Sequence, residues 1–350
     1  MDSPEKVART GNTGGPWLLN GTDRADVERY LVSQGMLASD AMPIAIARAG
    51  AGNMNLALRV TTRDGRSFIL KQGRPWVEKY AHIPAPFERT IVEAAFYSTV
   101  QSEPGVARRM PSVFHVDAHN HVLLLEDVGA GGDFTSIYGG GAMTNATVVA
   151  LLDWLLQLSR VTVPVDGRAV FSNRAMRALN HEHMFVFPLR ESNGLDLDGF
   201  TDGLAAEART LAADRAYVDA VAVLGLGYLR DGVTLVHGDY FPGSWLKAAD
   251  GLRVIDPEFC FLGDPEFDCG ILAAHLMMAE CGPDVLELVV ASVAERHLDL
   301  SRVAAYAGVE IMRRLIGVAQ LPLSYDIDRK RSLLRLSRRL VVEPHQGLAT

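Results

Sequence analysis

The segment Leu235–Asp268 constrains the fold of this chain more than any other stretch of its sequence. The run His237–Asp239 directly follows one short apolar stretch, and the acids Asp256 and Glu258 directly follow another. Between them, the Asp250-Gly251 pair is flanked by apolar residues and predicts a tight β-hairpin turn. We therefore expect the second half of the segment to fold back on the first, so that acidic side chains from both halves lie in one small volume.

Asp256 and Glu258 have the spacing of a cation site. Pro257 between them favours an extended backbone at Asp256, so both carboxylates can leave the same face of the chain. Two carboxylates aimed at one point suit a hard cation, most simply Mg²⁺ bound together with substrate phosphates, with Ser244 as a further ligand. Asp239, on the facing loop, is then available to accept the proton of an attacking hydroxyl group.

A strand pattern fills much of the chain between residues 44 and 127. The expected strands are Ile44–Arg48, Leu56–Thr62, Ser67–Lys71, Val113–Val116 and Val122–Asp127. Two glycines, Gly50 and Gly52, lie in the turn between the first two strands, and such a pair is by itself more typical of an ordinary hairpin. Its position ahead of a strand that ends in a lysine instead favours a loop that covers nucleotide phosphates.

Lys71 ends the third of these strands, where a lysine is most often solvated. Glu93, however, lies in the otherwise apolar helical stretch Ile91–Phe96, and an unpaired carboxylate buried there would be costly. We therefore expect Glu93 to pair with Lys71. A strand lysine held by a helix glutamate is the arrangement with which kinases bind the α- and β-phosphates of ATP.

The motifs HGDxxxxS at His237–Ser244 and DPE at Asp256–Glu258 resemble the catalytic and metal-binding segments of kinase-like phosphotransferases that act on small molecules. These enzymes form the aminoglycoside phosphotransferase and choline kinase superfamily. Within it the chain is most similar to the methylthioribose kinases, which also carry Gly-Ser in the first motif. The resemblance covers residues 44–340. It implies an α+β, two-lobed protein-kinase-like fold, with an antiparallel sheet in a small N-lobe and a mainly helical C-lobe.

The expected division is a flexible tail at residues 1–21, an N-lobe at 22–128 and a C-lobe at 129–350. By resemblance, ATP and Mg²⁺ are the nucleotide and the cation, and Asp239 is the catalytic residue. The residues expected to bind the nucleotide are Lys71, Glu93, Gly50, Gly52, Asn53, Asn55 and the backbone around Glu126 and Val128. The residues expected to bind the metal ion are Asp256, Glu258 and Ser244.

Two arginines, Arg313 and Arg314, lie in the helical stretch Val309–Gln320. By helical periodicity alone, both border an apolar arc and could extend from its edges to solvent. The sequence RRLIG nevertheless resembles the arginine pair of the methylthioribose kinases, which contacts the substrate or the transferring phosphoryl group. Guanidinium groups suit that role because they keep their charge and offer several donors to phosphate or sugar oxygens.

The expected reaction is transfer of the γ-phosphoryl group of ATP to a hydroxyl group of a small-molecule acceptor, with 5-methylthioribose as the first choice. The residues Tyr240–Pro242 depart from the methylthioribose kinases on the acceptor side of the first motif. An aminoglycoside or an amino alcohol therefore stays open as the acceptor. Two interpretations of another class are a nucleotide-binding pseudokinase and a metal-dependent hydrolase. The hydrolase would use His237, Asp239, Asp256 and Glu258 as ligands.

Composition limits the other classes of function. A chain of 350 residues suits two lobes, and its net charge of −8 argues against general nucleic-acid binding. Three cysteines without CxxC spacing argue against a disulfide framework or a structural zinc site, and favour a cytoplasmic protein. No apolar run reaches the roughly 18 residues of a membrane span, so we expect no membrane partner. Homodimer formation stays open.

Helical periodicity predicts that most of the second half of the chain is helical. The expected helices are Thr22–Leu37, capped by Thr22, then Thr144–Val161, Ala205–Leu229, Phe267–Cys281, Pro283–His297 and Asp328–Val342. The last has a basic face that we expect to be solvated. Asp268 is expected to cap or brace the loop just before the helix Phe267–Cys281. His181 and His183 are expected in a loop without a metal ion, where a contribution to acceptor binding stays open.

Overall fold

A computed structural model of the protein describes residues 15–37, 43–50, 52, 54–129, 131–321 and 323–348. The chain divides into two compact units. The first contains the described residues up to Gln101 together with Met110–Gly129. The second contains Ser102–Arg109 and the described residues from Gly131 onward. The predicted α+β class is confirmed, with an antiparallel sheet in the first unit and a mainly helical second unit.

An antiparallel sheet organises the first unit. The strands of this unit are β1 (Pro43–Arg48), β2 (Leu56–Thr62), β3 (Ser67–Gln72), β4 (Trp76–Val77), β5 (Tyr80–Pro84), β6 (Val113–Asp117) and β7 (Val122–Glu126). Five of them form one sheet in the order β1-β2-β3-β7-β6, and β4 pairs with β5. Along β2, buried Leu56, Leu58 and Val60 alternate with partly exposed residues, as expected where one face of a sheet covers a core. The predicted strands of this region are confirmed.

Two helices, α1 (Arg24–Ser33) and α2 (Arg89–Thr99), complete the first unit. Thr22 is not the N-cap of α1, because the Asp23 side chain accepts hydrogen bonds from the amides of Ala25 and Asp26. The prediction that α1 runs to Leu37 is also wrong, since the helix ends at Ser33.

The predicted flexible tail at residues 1–21 is wrong for its last described residues. Leu19 is 1% exposed and packs in the core that α1 forms with the sheet. Its amide donates to Gln72 Oε1 (2.9 Å), and the amide of Trp17 donates to Asn120 Oδ1 (2.7 Å). Hydrophobic packing and two buried acceptors therefore fix this stretch, although it lacks periodicity. Residues 1–14 lie outside the described residues.

Helices make up most of the second unit. They are α3 (Pro104–Ala107), α4 (Asn145–Leu158), α5 (Arg174–His181), α6 (Leu197–Phe200), α7 (Leu204–Ala213), α8 (Arg215–Tyr228), α9 (Glu266–Met278), α10 (Pro283–Glu295), α11 (Leu300–Ile316) and α12 (Ile327–Val342). Four short strands, β8 (Thr234–Val236), β9 (Trp245–Ala248), β10 (Gly251–Val254) and β11 (Phe261–Gly263), form two antiparallel pairs, β8 with β11 and β9 with β10. None of the helices in the described ranges is long and apolar enough to cross a membrane.

Two predictions about the helices of the second unit are wrong. The single helix expected at Ala205–Leu229 is two helices, because Asp214 has an extended backbone and caps α8 by accepting a hydrogen bond from the Tyr217 amide. The basic face of α12 is not simply solvated. Lys330 is 6% exposed and donates to Thr201 Oγ1, and Arg331 forms an ion pair with Glu207 (2.7 Å).

The centre of the second unit is formed by α9 and α11. Every residue of α9 is buried, and α11 is buried from Val303 to Ile316. A helix that is apolar on most of its faces is typical of the interior of a large unit. The charged residues within these two helices therefore need partners inside the protein.

Candidate active site

The loop after β8 is fixed by a fully buried carboxylate at the start of α9. Asp268 accepts hydrogen bonds from the backbone amides of His237 (2.6 Å) and Gly238 (3.0 Å). Gly238 has a φ of +88°, and a Cβ atom there would lie 2.2 Å from the Phe259 carbonyl oxygen, so only glycine fits. Burial raises the pKa of the Asp268 carboxyl group to about 6, although the two amides oppose this shift. The sequence predicts that Asp268 caps or braces the loop just before α9, but its carboxylate instead braces the loop after β8.

The loop that carries Asp239 and the loop that carries Asp256 are hydrogen-bonded to each other, and the predicted hairpin joins them. Ala248 of β9 lies opposite Gly251 of β10. Beyond the hairpin, the Ile255 amide donates to the Ser244 carbonyl oxygen (2.9 Å), and His237 Nε2 lies 2.9 Å from the Ile255 carbonyl oxygen. The structure therefore brings the loop after β8 and the loop after β10 together, which confirms the hairpin prediction.

His237 is a structural link between these loops. Its Nδ1 atom accepts a hydrogen bond from the Asp239 amide (3.3 Å), so Nε2 carries the hydrogen that is donated to the Ile255 carbonyl oxygen. Both ring nitrogens are thus occupied, and His237 cannot also bind a metal ion in this arrangement. The hydrolase interpretation, which needed His237 as a ligand, is wrong on this point.

The backbone at Asp256 differs from the prediction. Asp256 has φ 62° and ψ 50°, in the left-handed region, whereas Pro257 had predicted an extended residue. A following proline acts against the right-handed α region, but it does not select among the others, and aspartate tolerates the left-handed one. Glu258 follows in a short 3₁₀ turn and is 6% exposed. Asn173 holds this turn by donating to the Glu258 carbonyl oxygen (3.2 Å).

The acidic residues can be tested as a magnesium site by their ligand chemistry. No group of three or more His, Cys, Asp or Glu side chains that could hold a metal ion occurs in the described part of the chain. Mg²⁺ needs no such cage, because it commonly takes one or two carboxylates and completes its shell with phosphate oxygens and water. Asp256 and Glu258 fit that requirement. The Ser244 hydroxyl donates to the Asp239 carbonyl oxygen (3.0 Å), so it also stabilises the loop after β8.

The carboxylate of Asp239 is held at one of its two oxygens. Arg313 Nη2 and Arg314 Nη2 lie 3.0 and 3.2 Å from Asp239 Oδ1. The other oxygen, Oδ2, accepts no hydrogen bond from the described residues, and the side chain is 23% exposed. One oxygen therefore orients the carboxylate, and the other remains available to a ligand. The two arginines do not extend to solvent, since they are 7% and 5% exposed.

Glu310 is a site residue that the sequence analysis missed. It is fully buried in α11, its Oε1 atom lies 2.7 Å from Arg314 Nε, and Oε2 accepts a hydrogen bond from Arg313 Nε. The two arginine charges hold the pKa of the Glu310 carboxyl group well below its usual range despite the burial, which alone would raise it. The signal for Glu310 was present in the sequence, because it is a carboxylate in an apolar helix, as Glu93 is.

The segment around His181 and His183 is helical and not a loop, so that prediction is wrong. Helix α5 continues directly into a π-helical turn at Glu182–Val186. Burial lowers the pKa of the His183 imidazole, and the Arg313 charge adds to this shift, so the ring is neutral at pH 7. π-Helical turns often occur at functional sites.

In the first unit, Lys71 and Glu93 form the predicted ion pair. Lys71 Nζ lies 2.6 Å from Glu93 Oε2, and the two side chains are 4% and 0% exposed. The pair connects β3 to α2. The Tyr97 hydroxyl lies 3.4 Å from Glu93 Oε1 and supports the glutamate from the next turn of the helix.

The glycine-bearing turn is anchored by an arginine that the sequence analysis did not identify. Arg89 is fully buried, and its Nε donates to Asn55 Oδ1 (2.7 Å) while Nη2 donates to the Met54 carbonyl oxygen (2.8 Å). Asn55 therefore fixes the end of the turn through its side chain. At Gly50 and Gly52 a Cβ atom would meet no neighbour within 4 Å, so space does not require glycine there. Asn53 lies outside the described residues.

The end of β7 carries the segment expected to bind adenine. The Glu126 amide donates to the Ser112 carbonyl oxygen (2.9 Å), and the Glu126 carboxylate accepts from the Ser112 amide (2.9 Å). The Glu126 amide is therefore not available to a nucleotide. Val128 lies beyond the strand, and its backbone remains the candidate for this contact.

Comparison with known sequences finds similarity to the same kind of enzyme that the motifs indicate. Residues 45–306 match the family described as "Phosphotransferase enzyme family". The chain is 25% identical to methylthioribose kinase of Geobacillus kaustophilus, over 88% of this chain and 89% of the relative. It is 26% identical to methylthioribose kinase of Exiguobacterium sibiricum, over 85% of this chain and 88% of the relative.

Comparison with solved structures concerns the fold alone. The chain resembles spectinomycin phosphotransferase in complex with ADP and spectinomycin, with a TM-score of 0.53 and 14% identity, over 86% of this chain and 93% of that one. The AMP-bound complex of the same enzyme gives a TM-score of 0.55 at 12% identity, over 89% and 97%. The predicted kinase-like fold is thereby confirmed.

Proposed function

This chain belongs to the phosphotransferase enzyme family, and we propose that it transfers the γ-phosphoryl group of ATP to a hydroxyl group of a small neutral sugar, with 5-methylthioribose as the first candidate. The observation that carries this proposal is the way in which the Asp239 carboxylate is held. One carboxylate oxygen is fixed by two guanidinium groups, and the other accepts no hydrogen bond from the described residues. A carboxylate oriented in this way suits a group that accepts a proton from a hydroxyl.

The proton and the phosphoryl group move in a balanced step. The acceptor oxygen forms a bond to the γ-phosphorus, the bond between that phosphorus and the β,γ-bridging oxygen breaks, and ADP leaves. The hydroxyl proton passes to Asp239 Oδ2. Because phosphoryl transfer requires little covalent chemistry from the protein, the main contributions are positioning and charge stabilisation.

The residues that would hold Mg²⁺ are Asp256 and Glu258, and the ion would neutralise charge on the phosphate oxygens. Lys71, kept in place by Glu93, would bind the α- and β-phosphates. The turn at residues 49–55 would cover the phosphates, and the Val128 backbone would contact adenine. Localisation in the cytoplasm is part of the same proposal, because ATP and reduced cysteines are both found there.

Charge around Asp239 favours a neutral acceptor. Arg313 and Arg314 carry two positive charges, and Asp239 and Glu310 carry two negative charges, so the cluster is balanced before any acceptor binds. It therefore offers no uncompensated carboxylate to an ammonium group. The similarity to two methylthioribose kinases over most of the chain supports a sugar with a neutral substituent.

The test is ADP release from ATP and Mg²⁺ with a panel of acceptors: 5-methylthioribose, ribose, choline and spectinomycin. We expect release with 5-methylthioribose, at a kcat/KM at least about tenfold above that of the others. A preference for choline or spectinomycin would refute the neutral-sugar assignment. ATP binding without ADP release across the panel would instead favour a pseudokinase.

Asp239→Asn tests the catalytic role. We expect kcat to fall by about 100-fold to 10,000-fold while the Kd of ATP changes by less than about threefold. The matched control is Asp250→Asn, at an aspartate of the hairpin turn that is 62% exposed, and we expect it to keep the wild-type rate. A near-normal kcat in Asp239→Asn would remove Asp239 from the mechanism.

A further inference from the structure

Within the second unit, a line of buried polar side chains begins at Asp239. Both arginines contact Asp239, and Glu310 contacts both arginines. His275 Nε2 lies 3.0 Å from Glu310 Oε1, and the Tyr138 hydroxyl lies 2.6 Å from His275 Nδ1. The line is thus Asp239, the arginine pair, Glu310, His275 and Tyr138.

The donors and acceptors along this line have one consistent assignment. Burial lowers the pKa of the His275 imidazole to about 4, so the ring is neutral at pH 7. A neutral ring that donates from Nε2 to Glu310 accepts at Nδ1 from the Tyr138 hydroxyl. Glu310 then accepts hydrogen bonds from His275 and from both arginines, which fixes its position.

Arg313 and Arg314 differ in how many of their nitrogens are engaged. Arg314 uses Nε for Glu310, Nη2 for Asp239 and Nη1 for the Ala319 carbonyl oxygen (3.4 Å), and its guanidinium lies 4.6 Å from the centre of the Phe241 ring. Arg313 uses Nε and Nη2, whereas its Nη1 has no hydrogen-bond partner in the part of the chain that the structure describes. Arg313 therefore retains a complete NH₂ group for a ligand oxygen.

We propose that Glu310 is a positioning residue for phosphoryl transfer, which holds both guanidinium groups on Asp239 and leaves Arg313 as the arginine that contacts an acceptor or phosphoryl oxygen. This inference depends on the proposed function only for its kinetic consequence. The geometric part concerns whether Glu310 fixes the arginines, and it can be measured without any acceptor. Glu310 is fully buried, and its side chain contacts Arg313, Arg314 and His275.

Glu310→Gln is the direct test, because it keeps the size of the side chain and removes its charge. We expect kcat for 5-methylthioribose to fall by about 100-fold, which is the effect of a misplacement of about 1 Å near a reacting centre. The KM for ATP should change by less than about twofold. The matched control is Glu266→Gln, a carboxylate that is 7% exposed and accepts from the Asp299 amide, and it should keep kcat within about threefold.

A double-mutant cycle separates positioning from a general effect on folding. If Glu310 acts through Arg313, Glu310→Gln added to Arg313→Gln should lower kcat by no more than about threefold beyond Arg313→Gln alone. Arg314→Gln should lower kcat less than Arg313→Gln does. Full additivity of the Glu310 and Arg313 effects, or a Glu310→Gln enzyme within about threefold of wild type, would overturn the proposal.

The acceptor-independent measurement is ¹⁵N NMR of the arginine Nε–H groups in the full chain. Signals that disappear in Arg313→Lys and Arg314→Lys identify the two residues. In the wild type these hydrogens should exchange slowly with water, and in Glu310→Gln at least about tenfold faster. Unchanged exchange would overturn the proposal even if no acceptor of the panel is phosphorylated. Faster exchange without kinase activity would support the positioning role and refute the proposed function alone.

Discussion

Glu93→Gln should destabilise the first unit by about 3 to 5 kcal/mol, the usual cost of removing one partner from a buried ion pair. The Glu93 side chain is fully buried, the Lys71 side chain is 4% exposed, and Nζ and Oε2 lie 2.6 Å apart. Glutamine removes the negative charge at nearly constant volume. The Lys71 ammonium group then loses the negative charge of the Glu93 carboxylate. Because Lys71 stays buried, hydration of the ammonium group does not compensate for this loss.

An apolar replacement of the whole pair separates stability from function. Lys71→Met combined with Glu93→Leu should recover most of the loss, because apolar residues of similar volume often replace a buried ion pair without a cost in stability. About 1 kcal/mol should remain lost, because the Tyr97 hydroxyl no longer contacts Glu93 Oε1. The affinity for MgATP should nevertheless fall by at least about tenfold, because the phosphates lose the Lys71 charge.

Native-state hydrogen exchange followed by mass spectrometry is the suitable assay, because peptides from β2, β3 and β7 report the opening free energy of the first unit by itself. Calorimetric titration gives the affinity for MgATP. The matched control is Glu28→Gln, which breaks an i,i+4 pair whose Arg24 side chain is 51% exposed and should cost less than about 0.5 kcal/mol.

Two results would refute this reasoning. A Glu93→Gln protein that loses no more stability than Glu28→Gln would show that burial of the pair does not determine its energetics. An apolar double variant that binds MgATP as tightly as the wild type would show that Lys71 does not bind the phosphates, whatever its effect on folding.

Three further predictions concern the framework of the site. Gly238→Ala should lower the free energy of unfolding by more than about 2 kcal/mol and abolish turnover. The reason is that residue 238 has a φ of +88° and that its Cβ atom would lie 2.2 Å from the Phe259 carbonyl oxygen. A variant that unfolds at the wild-type temperature would contradict this prediction. Asp268 has its pKa raised to about 6 in the folded protein, so the folded state binds the proton more tightly than the unfolded state does. Its contribution to the free energy of unfolding should fall by about 3 kcal/mol as pH rises from about 4 to 6 and then stay constant. The difference between wild type and Asp268→Asn in urea unfolding should show this decrease, and a flat difference would disprove it. Arg89→Lys should lower the free energy of unfolding by about 2 to 4 kcal/mol and weaken ATP binding. Lysine cannot replace the donors that reach Asn55 and several buried carbonyl oxygens. A loss of stability below about 0.5 kcal/mol would count against this role.

Local patterns were sufficient where one physical requirement dominated. The five strands of the sheet followed from short apolar stretches separated by turn residues, and the hairpin followed from the Asp250-Gly251 pair. The pairing of Lys71 with Glu93 followed from the cost of burying a lone carboxylate, and this pair is found. The same argument applied to Glu310 would have indicated a buried partner, but not which one.

Predictions failed where a neighbour distant in sequence decided the conformation. Leu19 is ordered because the sheet offers it a core and Gln72 offers it an acceptor, and neither is visible in its own stretch of sequence. Asp256 adopts a left-handed backbone although the following proline favoured an extended one. Local preferences of this kind amount to about 1 kcal/mol or less per residue, so packing and hydrogen bonds elsewhere override them.

The sequence by itself determined the residue types available for the chemistry, the class of fold and the order of its strands and helices, because these depend on periodicity and on short motifs. Only the tertiary structure decided that both arginines of α11 share one oxygen of Asp239, and that Glu310, His275 and Tyr138 stand behind them. The reason is physical. A buried charge must find its partners in three dimensions, and no local pattern reaches them: Arg313 and Asp239 lie 74 positions apart along the chain, and Tyr138 and His275 lie 137 positions apart.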